Sequence, residues 1–302
     1  MTTATRTLST VISANPYCDP LKDGRVKIPG IEMEQISITP LIQAFRRMTR
    51  NLEFEICEVA VVTYFTARQY GVPITGLPIF PLARFEHNGI ILNTNLVKTP
   101  TDLNGTTMGM RAYTVTPGIW ARAFLKQEHG VDLESMRYVM ADDEHVIQYN
   151  QDPDIPKNLE YRIGADIQKL LAEGEFASAL SVPTGDYPHL KPLYPDGRAA
   201  GIAAYERMGG VYPLTHMMTI RNDVLAEYPW LPQAMMEAFK ESKEIHRKAT
   251  GAALPEHPYD DPMPIGLEQT RKALTVLMDL AAEQHVMKKV LSIDEMFPGN
   301  LN

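Results

Sequence analysis

The stretch Thr106-Thr-Met-Gly-Met-Arg-Ala-Tyr-Thr-Val-Thr-Pro117 passes from an apolar segment through a turn into a well-marked helix start. Residues 106–110 have the pattern of a short strand, and Thr116-Pro117 is typical of an N-cap followed by proline at the first helical position. The helix is predicted to run to Gly130, because glycine commonly ends helices. This stretch is therefore a strand-to-helix unit.

The same alternation of strand-like and helix-like segments extends along the chain in both directions. Residues 8–13, 31–38 and 54–59 are predicted strands, and Thr39-Pro40 predicts a second N-cap with proline at the first helical position. Strands that alternate with helices favour the α/β class with parallel sheets.

The segments fall into two α/β blocks and a helix-rich end. The helices after residue 222 have no sheet of their own, so we expect them to return to the first block. The predicted lobes are residues 1–104 with 213–302, and residues 105–212. A chain that crosses twice between lobes leaves a ligand cleft between them, and ligands of α/β sheets bind outside the carboxyl ends of strands.

Composition limits the classes of partner. The 302 residues carry a net charge of −8, and 44% of them are hydrophobic, which predicts a globular protein that binds neither nucleic acid nor an anionic membrane. Cys18 and Cys57 are expected to be reduced thiols. The N-terminus has no apolar run of signal-peptide length, so a cytoplasmic location is expected. The sequence does not determine the oligomeric state, and a homo-oligomer is one of the alternatives.

Several motifs of known chemistry are absent from the sequence. It contains neither GxGxxG after the first strand nor GxxxxGK[ST], and it lacks HExxH and GxSxG. We therefore expect no nucleotide cofactor and no acyl-serine chemistry, and we predict that the chain works without any cofactor.

Four residues in three stretches could contribute acid, base or charge. Glu58 ends an apolar strand, so its carboxylate is either a structural ion pair or lines a cleft. Arg84 could bind a carboxylate and His87 could transfer a proton, although both also fit an ordinary polar loop. His216 lies in the apolar strand 213–220, where a hydrogen-bonded core histidine is the alternative.

The turn at residues 111–118 is the clearest candidate for binding an anion. A helix start offers backbone N–H groups and the positive end of the helix dipole. Arg111, Tyr113, Thr114 and Thr116 add donors beside it. The alternative is a capped helix with a surface arginine. We predict that these four residues bind an anionic substrate.

Five ordered motifs resemble those of the 4,5-dihydroxyphthalate decarboxylase family. They are Phe54-Glu-Ile-Cys-Glu-Val-Ala-Val-Val-Thr-Tyr64, Leu77-Pro-Ile-Phe-Pro81 with Phe85-Glu-His87, Met108-Gly-Met110 with Trp120, Leu193-Tyr-Pro-Asp196, and Pro213-Leu-Thr-His216 with Ile220-Arg221. The family is similar in fold to type II periplasmic binding proteins. The resemblance therefore implies that two-lobed fold and a decarboxylase that forms protocatechuate and CO2.

The resemblance gives weight to Glu58, His87 and His216 as matched positions. The chain departs from the family motif at Glu86, where the family has arginine directly before the histidine, and Arg84 lies one position later than the family's arginine. A related aromatic acid is therefore an alternative substrate.

The chemistry needs an acid near the ring carbon, a base near the phenol and a clamp for the carboxylates. We assign the proton to His87 or His216, the phenol end to Glu58, and the clamp to Arg111 and Arg84. One alternative is a small-carboxylate-binding protein of the same fold without chemistry. Another is a metal site formed by Glu58, His87 and His216.

Overall fold

The computed structural model describes residues 5–297, which form two compact units. Unit 1 contains residues 5–84, 214–278 and 289–297, and unit 2 contains residues 85–213 and 279–288. The described part of each unit has its own β-sheet surrounded by helices. The α/β class predicted from the sequence is therefore confirmed.

Strands and helices alternate along most of the described chain. The strands are β1 (Arg6–Val11), β2 (Ile31–Gln35), β3 (Ile56–Ala60), β4 (Ile74–Ala83), β5 (Ile90–Asn93), β6 (Thr107–Met110), β7 (Arg137–Met140), β8 (Leu159–Tyr161), β9 (Ser178–Leu180), β10 (Leu190–Pro192) and β11 (Leu214–Arg221). The helices are α1 (Asp19–Lys22), α2 (Ile42–Asn51), α3 (Val61–Gln69), α4 (Thr116–His129), α5 (Ile147–Asn150), α6 (Ile167–Ala172), α7 (Gly197–Arg207), α8 (Asn222–Glu227), α9 (Leu231–Thr250), α10 (Leu267–Glu283) and α11 (Ile293–Met296).

The sheet of unit 1 has the strand order β2-β1-β3-β11-β4. Strand β1 is parallel to β2 and β3, whereas β11 is antiparallel to β3 and β4. The register aligns His216 with Ala60 and Leu214 with Ala83. The carboxyl ends of β1, β3 and β4 therefore meet the beginning of β11 at one edge of the sheet.

The apolar sequence of β3 explains its central place in this sheet. All five of its residues are buried, as expected for a strand that is covered on both faces. Helix α2 buries Ala44, Phe45 and Met48, which recur at helical spacing, and the long helix α9 buries Met235 and Phe239.

The sheet of unit 2 has the order β10-β5-β9-β6-β7-β8. Strands β6 to β9 pair in parallel, whereas β5 is antiparallel to both β9 and β10. Part of the core is a cluster of seven buried apolar side chains, namely Ile91, Val139, Ile167, Leu171, Phe176, Ala179 and Leu190. Helix α4 ends at Gly130, as predicted, with a left-handed backbone conformation.

The structure corrects both predicted helix starts. Helix α2 begins at Ile42 with Leu41 as its N-cap, so the Thr39-Pro40 pair does not open the helix. At α4 the N-cap is Val115, the last residue with an extended backbone, and Thr116 is already the first helical residue.

The boundaries of the two units differ from the predicted lobes in two stretches and by one residue at Pro213, which lies in unit 2. Residues 85–104 lie in unit 2 because β5 pairs with β9 and β10, and residues 279–288 also lie in unit 2. The cleft expected between the lobes stays a prediction. None of the helices between residues 5 and 297 combines the length and the hydropathy that a bilayer span requires.

Candidate functional site

Glu58 and His216 form a hydrogen-bonded pair at the sheet edge of unit 1. The Glu58 side chain has no exposed surface. Its Oε1 lies 2.7 Å from Nδ1 of His216, and its Oε2 accepts a hydrogen bond of 2.7 Å from the backbone N–H of Ser13. Both carboxylate oxygens are therefore bound, as a buried carboxylate requires.

The register of the two strands explains this pairing. Met218 lies opposite Glu58, and His216 lies opposite Ala60. Side chains two residues apart on a strand share one face, so His216 is the diagonal neighbour of Glu58. Since β3 and β11 are adjacent strands, the motifs around residues 58 and 216 lie side by side.

The ring of His216 is held on two sides. Nδ1 bonds to Glu58, and the ring lies edge-on to Phe45, with 5.0 Å between the ring centroids. The side chain is 18% exposed, and no residue in the described part of the chain forms a hydrogen bond with Nε2. With Nδ1 donating to the carboxylate, Nε2 can accept a proton or, when protonated, donate one.

Residues after β1 complete this edge, and the sequence analysis did not identify them. Besides Ser13, the side-chain amide of Asn15 donates to the carbonyl of Pro81 at 2.7 Å, and Lys22 donates to the carbonyl of Ser13. The signal that could have found them is their position after a predicted strand, where ligands of α/β sheets bind.

Cys18 is also near this edge but is an inert thiol. Burial raises its pKa to about 12, and the charge of Glu58 adds to the effect. Its Sγ contacts the sulfur of Met263 at 3.5 Å. Both cysteines are free and buried, as expected for reduced thiols.

Arg84 is the first residue after β4 and is exposed. Strand β4 ends at the edge where Glu58 and His216 meet, because Leu214 is opposite Ala83. Its guanidinium has the fork of donors that fits a carboxylate.

In unit 2 the predicted anion-binding turn holds a carboxylate of the chain itself. Glu144 is fully buried, and its oxygens accept hydrogen bonds from the backbone N–H of Tyr113 at 2.7 Å and of Thr114 at 2.9 Å. The hydroxyls of Thr114 and Tyr161 donate to it at 2.6 and 3.0 Å. The turn is therefore an anion site, and Glu144 is the anion in this structure.

The other predicted residues of the turn have different surroundings. Thr116 is buried in the first turn of α4. Arg111 is half-buried, and its Nη1 lies 3.4 Å from Nε2 of His145. Behind the turn, the buried guanidinium of Arg122 stacks on the ring of Tyr113 at 3.8 Å and bonds to Gln284. Glu144, His145 and Arg122 were not among the residues predicted from the sequence.

His87 is packed inside unit 2 and has no exposed surface. Its ring stacks on Phe124, with 3.8 Å between centroids and an interplanar angle of 17°. Its Nε2 lies 3.3 Å from Oε1 of Glu128, and Tyr194 packs edge-on against the ring. These contacts are those of a core histidine rather than of a group that reaches a ligand.

The network around His87 changes the acidity of Glu128. Burial alone would raise the pKa of Glu128, but hydrogen bonds from His87 and Tyr194, together with electrostatic attraction to His87 and Arg207, lower it below its ordinary value. Tyr194 donates to Glu128 at 2.7 Å, and Arg207 donates to the same carboxylate.

Among residues 5–297, no group of three or more His, Cys, Asp and Glu side chains is arranged to hold a metal ion. The alternative metal site of Glu58, His87 and His216 therefore has no support from the geometry. Glu58 and His216 are paired in unit 1, whereas His87 is enclosed in unit 2.

Two curated proteins are similar to this chain in sequence. One is the 4,5-dihydroxyphthalate decarboxylase of Comamonas testosteroni, 28% identical over 237 residues, which covers 75% of this chain and 71% of that protein. The other is the 4,5-dihydroxyphthalate decarboxylase of Pseudomonas putida, 31% identical over 122 residues, which covers 40% of this chain and 47% of that protein. No protein-family model matches the chain.

Solved structures share the fold at low sequence identity. The alkanesulfonate-binding protein SsuA of Xanthomonas axonopodis pv. citri has a TM-score of 0.54 at 11% identity, covering 97% of this chain and 98% of that chain. The periplasmic aliphatic sulphonate-binding protein SsuA of Escherichia coli has a TM-score of 0.56 at 11% identity, with the same coverage.

An enzyme has the fold as well. A mutant of DSZB in complex with biphenyl-2-sulfinic acid has a TM-score of 0.55 at 14% identity, covering 97% of this chain and 96% of that chain. DSZB is described as a desulfurization enzyme. The type II periplasmic-binding-protein-like fold is thus confirmed, and so is the resemblance of this chain to 4,5-dihydroxyphthalate decarboxylases.

Proposed function

We propose that this chain is a carboxy-lyase that removes one carboxylate from a hydroxylated aromatic dicarboxylic acid. The substrate is 4,5-dihydroxyphthalate or a close relative, and the products are protocatechuate and CO2. The observation that carries the proposal is the Glu58–His216 pair, in which a buried carboxylate holds an imidazole whose Nε2 has no protein partner among the described residues. The two curated relatives support the choice of substrate.

The reaction follows from the electronic structure of the substrate. Each carboxylate of 4,5-dihydroxyphthalate is para to a hydroxyl, which donates electron density to the carbon that bears the carboxylate. An acid adds a proton to that carbon, the C–C bond to the carboxylate then breaks, and its electron pair restores the aromatic ring as CO2 leaves. One proton is consumed for each CO2 released.

We assign this proton to Nε2 of His216. The sequence analysis left His87 and His216 as alternatives, and the exposure of the His216 ring and the enclosure of His87 favour His216. The Glu58 carboxylate stabilises the positive charge of the protonated imidazole and fixes its orientation, as the acid partner of a catalytic histidine does.

The role of Glu58 differs from the one expected at the phenol end of the substrate. Its two oxygens are bound to His216 and Ser13, and its side chain has no exposed surface. A carboxylate so enclosed is suited to support the imidazole rather than to contact a phenol.

Two arginines are proposed to bind the substrate carboxylates. Arg84 and Arg111 each offer a planar fork of donors that matches a carboxylate. The contributions of Tyr113, Thr114 and Thr116 to substrate binding are then indirect. The amides of Tyr113 and Thr114 and the Thr114 hydroxyl bind Glu144, and Thr116 is buried in the first turn of α4.

A non-catalytic carboxylate-binding protein is the second candidate, because the SsuA proteins share the fold. The two candidates are separated by measuring CO2 release and binding heat with 4,5-dihydroxyphthalate and with phthalate, which lacks the activating hydroxyls. The proposal predicts that both acids bind and that only 4,5-dihydroxyphthalate releases CO2. Binding of both acids without CO2 from either would favour the binding protein.

A further inference from the structure

We propose that His145 is a positioning residue that holds the guanidinium of Arg111 in place for a substrate carboxylate. The inference rests on the proposed function, in which Arg111 binds that carboxylate. Arg111 follows β6 at its carboxyl end, and its Nη1 lies 3.4 Å from Nε2 of His145. Both residues belong to unit 2, so the contact lies within one compact body.

The contact with Arg111 determines which ring nitrogen of His145 carries the proton. A guanidinium has only donors, so Nε2 of His145 must accept the hydrogen bond and the proton of the neutral ring must be on Nδ1. The side chain of His145 is buried, so its ring cannot turn away without disturbing its packing. The acceptor therefore stays at one place beside Arg111.

The residue before His145 anchors it to the same turn that carries Arg111. Glu144 is bound by the amides of Tyr113 and Thr114 and by the hydroxyls of Thr114 and Tyr161. Tyr113 and Thr114 follow Arg111 by two and three positions. The turn and the segment with residues 144 and 145 are thus joined twice, once through Glu144 and once through His145.

This arrangement would act on substrate binding rather than on the chemical step. An arginine side chain loses much rotamer freedom when it grips a ligand, and a group that is already oriented loses less. Fixing Arg111 in advance would therefore lower the KM for a carboxylate substrate, while proton transfer from His216 would be unaffected.

Two nearly isosteric variants test the acceptor directly. In His145→Gln the side-chain oxygen can occupy the place of Nε2, whereas in His145→Asn the shorter amide replaces only the position of Nδ1. We expect His145→Asn to raise KM for 4,5-dihydroxyphthalate about tenfold with kcat within about twofold, and His145→Gln to keep both constants near those of the wild type. Circular dichroism establishes that both variants are folded.

Three outcomes would overturn the inference. The first is an unchanged KM in a folded His145→Asn variant, and the second is an equal increase in KM for His145→Asn and His145→Gln. The third is that His145→Asn raises KM by the same factor in an Arg111→Leu background as in the wild type. If the wild type binds 4,5-dihydroxyphthalate without releasing CO2, the proposed function fails, and dissociation constants from calorimetry then decide the role of His145. A wild type that does not bind this acid would overturn both.

Discussion

At the level of single residues, the buried carboxylate of Glu58 has a partner for each of its two oxygens. A buried carboxylate without partners would cost several kcal/mol, and here it is bound by the Ser13 amide and the His216 ring. The strand register brings the latter into reach, since His216 is opposite Ala60. The pair therefore meets a structural need, and in the proposed mechanism it also has a chemical use.

Glu58→Gln tests that use. The neutral amide retains the size of the side chain but cannot balance the charge of a protonated His216, so we expect kcat to fall by at least about 100-fold. The measurement is the rate of CO2 release at saturating 4,5-dihydroxyphthalate, with Glu256→Gln at an exposed position as the matched control. A kcat for Glu58→Gln within about threefold of the wild type would remove the carboxylate from the mechanism.

Some of these residues could be predicted from the sequence and others could not. Glu58 and His216 are polar residues within apolar strands, which is a visible signal. The contribution of Ser13 is a backbone amide, which almost any residue type offers, so only its position at the end of a predicted strand could have indicated it. Glu144 lies in an irregular segment between β7 and α5, so no periodic pattern indicated that its carboxylate would fill the predicted anion site.

At the scale of elements, α7 of unit 2 contains a glycine that packing requires. A Cβ at Gly201 would lie 2.2 Å from Cγ of Phe85, far closer than carbon atoms approach. Replacing a helical glycine by alanine ordinarily stabilises a helix by about 1 kcal/mol. At this position the collision with the Phe85 ring reverses the expected sign.

We expect Gly201→Ala to lower the free energy of unfolding by about 1–3 kcal/mol because it overpacks the contact with Phe85. The measurement is urea denaturation. Ala203→Gly, at an exposed position of the same helix, is the control and should cost about 1 kcal/mol through helix propensity alone. A Gly201→Ala variant with a higher free energy of unfolding than the wild type would show that the Phe85 ring moves away from the added methyl group without cost.

Element types could be predicted more reliably than element ends. The helical spacing of apolar residues predicts α2, which buries one face, and an unbroken apolar run predicts the strand β3, which is buried on both faces. The starts of α2 and α4 were misplaced by one or two residues. Proline after threonine fits several positions of a helix start, and only the backbone angles of Val115 distinguish them at α4.

At the scale of the whole molecule, the alternation of elements predicts two α/β blocks, but pairing between distant strands decides where they divide. Strand β5 follows β4 closely in sequence, yet it pairs with β9 and β10 in unit 2. Such antiparallel pairing over about 90 residues leaves no local pattern, and therefore the predicted boundary at residue 104 differs from the boundary at Arg84.

The stability of the molecule should depend on pH through Glu128. The pKa of this carboxyl is lower in the folded chain than its ordinary value of 4.5. A lowered pKa contributes stability that is fully present above the unfolded pKa and is lost as pH falls through the folded pKa. We expect Glu128→Gln to be less stable than the wild type by about 1–2 kcal/mol at pH 7.

The difference in stability between the wild type and Glu128→Gln should shrink as pH falls below about 4.5. The wild-type carboxyl then becomes neutral, as the glutamine side chain already is. Urea denaturation at pH 7 and at pH 4 and below measures it, with Glu256→Gln as the exposed control. A difference that is constant over this range would show that the charge of Glu128 does not contribute.

In the proposed reaction His216, held by Glu58, protonates the ring carbon. His216→Asn is the most direct test, because its amide can still contact Glu58 but lacks Nε2. The rate of CO2 release from 4,5-dihydroxyphthalate should fall at least about 100-fold, whereas His87→Phe, which preserves the stacking on Phe124, and His257→Asn should remain within about threefold. A folded His216→Asn with near wild-type turnover would show that His216 is not the proton donor.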